Sequence, residues 1–123
     1  MGKLSREFGR FIYTFNLGSA ISGAFTTGAW INTKLVYPFT ITAGGPFTAA
    51  ANVVQILGAN SDTAPSNSDN AHGQLNTGGF TLQGAYVETV PFQWIKVYVT
   101  GALASGSITS VDFVGVANVN NRA

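Results

Sequence analysis

The run Pro91–Val116, PFQWIKVYVTGALASGSITSVDFVGV, constrains the fold more than any other stretch. In its first half Ile95, Val97 and Val99 alternate with Phe92, Trp94, Lys96 and Tyr98. A period of two, in a run rich in β-branched and aromatic residues, is the signature of a strand. Gly101 and Gly106 flank a small-residue loop, and a second β-rich run, Ile108–Val116, follows. The spacing predicts a hairpin with a longer loop. One face, Ile95, Val97 and Val99, is expected to bury. The other carries Phe92, Trp94 and Tyr98 and is too apolar for a plain solvent face, so a second layer or a partner must cover it.

Upstream, the same reading yields a series of short strands. Phe11–Leu17 alternates Phe11, Tyr13 and Phe15 against Ile12, Thr14 and Asn16. Gly18–Gly28 reads as a loop or weak strand. Ala29–Tyr37 reads as a strand ended by Pro38, which cannot donate to a ladder. Phe39–Thr42 is a short β run closed by a turn at Gly44-Gly45-Pro46. Asn52–Gly58 reads as a central strand. Ala59–Gly79 is a long polar stretch with almost no apolar residue, and loops of that length are often functional. Phe80–Val90 supplies further β segments, with Phe80, Leu82, Tyr86, Val87 and Val90 as core candidates. About seven to eight short strands separated by turns, with no convincing helix in the body, predict an all-β antiparallel β-sandwich or jelly-roll. A β-barrel is the alternative. The expected layout is an N-terminal arm and lead-in over 1–15, the β-sandwich domain over 16–117 and a polar tail over 118–123.

Composition narrows the function. Only 9% of the 123 residues are charged, against about 25% in ordinary soluble domains. Such a surface makes sense where much of it is covered in an assembly. There is no Cys, which removes disulfides, thiolate nucleophiles and zinc–thiolate sites. Lys3, Arg6 and Arg10 are half of all Lys and Arg, and the body from Phe11 to Asn121 holds Lys34 and Lys96 against Asp62, Asp69, Glu88 and Asp112. Three cations release few counterions, which argues against nucleic acid as a partner. No apolar run reaches the roughly 18 residues of a membrane span, and Asn16, Gly18 and Ser19 interrupt any secretion signal. The arm reads either as a frayed terminus or, more sharply, as a segment that docks on a neighbouring subunit and buries Phe8 and Phe11.

Catalytic chemistry finds little support in the spacing. A metal site could draw on Asp62, Asp69 and His72, yet turn-forming Asp and Asn fill this loop anyway. Ser66, Ser68, Asp69 and His72 lie on one loop without a nucleophile elbow. Of the four body carboxylates no opposed pair is selected. Gly44-Gly45 and Gly78-Gly79 open no helix and are turn glycines. The expectation is no enzyme, no cofactor and no metal. Trp30, Trp94, Tyr37, Tyr86 and Tyr98 could form a sugar-stacking platform, or fill a core or subunit interface.

Two segments carry a resemblance. One is the strand Asn52–Gly58 running into Gly58-Ala59-Asn60-Ser61-Asp62. The other is Pro91-Phe92-Gln93-Trp94-Ile95-Lys96-Val97, followed by a Gly-rich turn and a closing strand with Ser107-Ile108-Thr109. Over Asn52–Val116 the chain resembles small β-sandwich proteins from the structural modules of bacteriophages and related viruses. It departs from their pattern in lacking an aromatic residue soon after Asp62. The resemblance implies a virion structural protein: a minor capsid or decoration protein that binds the shell as a homo-oligomer, with other virion proteins as partners. The same shape also serves neck, tail and fibre parts and carbohydrate-binding modules, and the major coat protein is a third reading. The expected interface residues are Lys3, Arg6, Phe8, Arg10 and Phe11 on the arm, with Trp94, Lys96 and Tyr98 on the last hairpin.

Overall fold

A computed structural model describes residues 10–116, with Arg10 and Val116 described at the backbone only. The arm residues Lys3, Arg6 and Phe8, the side chain of Arg10 and the tail 118–123 therefore lie outside the described residues. Nine strands run in order: β1 (Arg10–Thr14), β2 (Ile31–Asn32), β3 (Phe39–Thr48), β4 (Val54–Ala59), β5 (Gly73–Gln74), β6 (Leu82–Glu88), β7 (Trp94–Val99), β8 (Ser105–Gly106) and β9 (Ser110–Val116). None of the described residues is helical, and none forms a helix long and apolar enough to cross a membrane.

The strands form two sheets. The first runs β1-β9-β3-β6, with β8 pairing the end of β3, and the second runs β2-β7-β4-β5. Every pairing is antiparallel. With the two-residue β8 set aside, β9 is the eighth strand. The sheet orders are then first–eighth–third–sixth and second–seventh–fourth–fifth. That interleaving of two Greek keys is a jelly-roll. The all-β sandwich expected from the sequence is therefore the fold.

Period-two alternation supplies the core between the sheets. Phe39, Ile41, Ala43 and Phe47 of β3, with Val111 and Phe113 of β9, face Val54 and Ile56 of β4 and Ile95, Val97 and Val99 of β7. Phe39 and Phe113 stack at 4.8 Å between ring centroids. Burial of this apolar surface, at about 25 cal/mol per Å², is what holds the sheets together.

The predicted final hairpin does not form. β7 lies in one sheet and β9 in the other, so residues 100–109 arch between layers. Alternation makes both runs strands, but it does not choose their neighbours. Facing each other across the sandwich buries both apolar faces at once. Three further boundaries differ. The sandwich begins at Arg10, so residues expected as the arm's lead-in belong to the first sheet. Phe11, half-buried, packs edge-on against Phe113 at 5.9 Å within its own chain. The strand expected over Ala29–Tyr37 shrinks to Ile31–Asn32. Here Asn32 Oδ1 accepts the Lys34 N–H at 2.8 Å and Thr33 Oγ1 accepts that of Leu35 at 3.1 Å. Such local bonds compete with a ladder, and Lys34 and Leu35 turn into positive φ. Finally, Gly44-Gly45-Pro46 does not end a strand: β3 continues through it, and the β3–β6 register shifts there as at a bulge.

Candidate functional site

The two outer faces of the sandwich differ in chemistry. On the β2-β7-β4-β5 sheet the outward positions include Gln55, Leu57 and Ala59 of β4 and Trp94, Lys96 and Tyr98 of β7. Leu57, Ala59 and Trp30 are nonetheless buried, with Trp94 and Tyr98 packed against them. The cover is the long polar loop, residues 60–79. Its fastening is polar because its sequence is polar. The indole N–H of Trp30 donates to the Ser66 carbonyl and that of Trp94 to the Ser61 carbonyl, both at 3.0 Å. The Asn60 carboxamide accepts the Gln93 N–H at 2.8 Å.

Lys96 is at the centre of this clasp and is 0% exposed. Its ammonium donates to Asn67 O at 2.7 Å, Asn70 Oδ1 at 2.5 Å and Thr26 O at 3.2 Å. Three acceptors match the three donors of a lysine. The Asn70 amide N–H also donates to Thr26 O at 3.1 Å, closing the ring of bonds. The ammonium sits 5.6 Å from the Trp30 ring centroid and 6.0 Å from that of Tyr98, within cation–π range. Burial lowers the Lys96 pKa, and the Asp69 charge partly offsets that shift. Asp69 is itself held low by the Ala71 N–H and by His72, whose Nε2 lies 3.1 Å from its carboxylate.

The clasp corrects several expectations. Lys96 has no surface to offer a partner. Trp94 and Tyr98 are half-buried, packed against the Trp30–Leu57–Ala59 cluster. Trp30, 6% exposed, meets His72 edge-on at 5.1 Å and presents no open face to a sugar. The long polar loop covers its own sheet while most of its residues stay exposed to solvent. Asp69 and His72 do come together, but Asp62 does not join them. Among the described residues no group of three or more His, Asp or Glu side chains could hold a metal. Ser66 and Ser68 bond to each other, and neither is hydrogen-bonded to His72.

Among the described residues, nothing covers the outer face of the β1-β9-β3-β6 sheet. Register places Ile12, Val114, Thr40 and Val87 in one row across all four strands. Ile12 is 55% exposed and Val87 62%. The next row is Thr14, Asp112, Thr42 and Ala85. Asp112 is the only charged residue among the described outward positions, and its carboxylate accepts the Thr14 hydroxyl at 2.7 Å. Leu82 and Val90, expected in the core with Val87, are exposed as well, whereas Phe80 and Tyr86 do pack inward. Tyr86 donates to the Glu88 carboxylate, and burial together with that bond raises its pKa. The sequence reading missed this face because its apolar residues come singly, one from each of several strands. Only register reveals the row.

No protein-family model, curated protein or solved structure matches the chain.

Proposed function

We propose that this chain is a structural component of a virus particle, a minor capsid or decoration protein that acts by surface burial and not by catalysis. The observation that carries the reading is the outer face of the β1-β9-β3-β6 sheet on a jelly-roll, which among the described residues is uncovered and nearly uncharged. Jelly-rolls recur in viral shells and in lectins, and fold alone does not choose between them. The lectin reading needs open aromatic faces. Trp30 is buried and Trp94 half-buried beneath the loop, which leaves Tyr37 as the exposed member of the candidate platform, and the sheet face favours the shell reading. A contact there gains from apolar burial less the cost of ordering, and many symmetric copies add avidity.

The test is co-sedimentation of the purified chain with virus shells lacking it, together with electron microscopy of the chain alone. The expected result is saturable binding to shells, or regular closed assemblies. Val87→Lys with Ile12→Lys should weaken shell binding at least tenfold without unfolding the protein. A chain that ignores shells and binds a defined glycan would overturn the reading in favour of a carbohydrate-binding module of a tail or fibre.

A further inference from the structure

Of the four sheet edges, three are guarded and one is open. β2 and β5 are two residues long, and β1 is five residues long and opens with Arg10. β6 is seven residues long, Leu82-Gln83-Gly84-Ala85-Tyr86-Val87-Glu88, and forms the edge beyond β3. It contains no Lys, Arg or Pro. Its register shift against β3 lies at its Leu82 end, and Gly84–Glu88 pair in continuous register. Its one charged group, Glu88, is turned inward, where it accepts from the Tyr86 hydroxyl and from the N–H groups of Thr89 and Val90. Among the described residues, β6 forms its ladder with β3 alone. Natural edges of this length are normally blunted by charge, proline, bulges or cover.

We propose that β6 pairs antiparallel with β6 of a second copy, about a two-fold axis through Ala85, to make one continuous eight-stranded sheet. The strand is complementary to itself in that register. Gly84 would face Tyr86, giving the ring the space of a missing side chain. Gln83 would face Val87, Leu82 would face Glu88, and Ala85 would face its own copy. Pairing two copies of one strand brings like charges together near the axis, so a charged strand would repel itself there; β6 presents no free charge. The same neutrality argues against the basic segment 1–9 as occupant. Lys3 and Arg6 would need acidic partners, and the Glu88 carboxylate is already engaged. The contact is isologous and closes at two copies. It gives the self-association in the proposed function a surface, and shell binding stands or falls separately.

The test uses the full chain in sedimentation and light scattering across a concentration series, with hydrogen exchange on the β6 amides. The expected result is a monomer–dimer equilibrium, with β6 amides protected at high concentration and exchanging on dilution. Ala85→Lys, which sets two ammonium groups on the axis, and Val87→Lys should each move the midpoint at least tenfold to higher concentration. Circular dichroism should report an intact sandwich in both. Ile12→Lys on the opposite edge, and deletion of residues 2–9, should leave the midpoint in place. A monomer at every soluble concentration overturns the proposal. So does an oligomer that survives Ala85→Lys or disappears on deletion of residues 2–9.

Discussion

Lys96 lies beneath a polar loop, and among the described residues no carboxylate comes within ion-pair distance of its ammonium, Asp69 acting only at longer range. Two main-chain carbonyls and a carboxamide replace its water, and two aromatic rings border it. Lys96→Met keeps the aliphatic stem but leaves Asn67 O and Asn70 Oδ1 without their donor. Stranded buried acceptors cost about 1–3 kcal/mol each, so urea unfolding should show a loss of about 2–4 kcal/mol. Stability should also follow pH. The folded pKa of Lys96 lies below its ordinary value of 10.5, because burial disfavours the charged form. The native state is therefore penalised while the lysine is protonated, and stability rises as pH climbs through the folded pKa towards 10.5. Tyr86 acts in the opposite sense. Its pKa is raised above 10.0, so its stabilisation is complete below pH 10 and is lost above it, as the unfolded phenol ionises. The two groups oppose each other at alkaline pH, and Lys96→Met should remove the rise while keeping the fall.

The loop 60–79 is an element in its own right, and its exit depends on Gly79. This residue has φ +71°, and a Cβ on it would collide with the Val54 carbonyl oxygen. Its N–H donates to Asn76 O, and the Phe80 N–H then donates to Val54 O as the chain rejoins the sheet. Gly78 shares the positive φ, at +83°, but its Cβ would point into open space. Gly78→Ala should cost about 1 kcal/mol, for backbone conformation alone. Gly79→Ala should cost at least about 3 kcal/mol, since the collision is with main chain that cannot step aside. Thermal unfolding of the two variants separates these terms. The sequence disclosed the strands at β4, β7 and β9 because their alternation is local. It disclosed neither the arch between β7 and β9 nor the clasp. Strand pairing is set by contacts across the whole sandwich. Trp94, Lys96 and Tyr98 look alike whether a partner or the chain's own loop covers them, and only the depth of Lys96 decides it.

At the scale of the molecule, the sandwich is asymmetric. One sheet faces outward through a polar loop fastened by indoles and an ammonium, and the other faces outward bare. The bare sheet holds the apolar row and the open β6 edge, so both proposed contacts fall on one side. Arg10 and Val116 are direct partners across the β1–β9 pair, so the described chain enters and leaves at the same end of one ladder. Geometry of that kind has a mechanical consequence. Tension applied to segments beyond these two residues acts across the ladder, not along it. Its hydrogen bonds break one after another, from Arg10↔Val116 towards Thr14↔Asp112, and never all together. Pulled by its ends, the molecule should open like a zipper at low force, while load carried through the sheet face reaches no such seam.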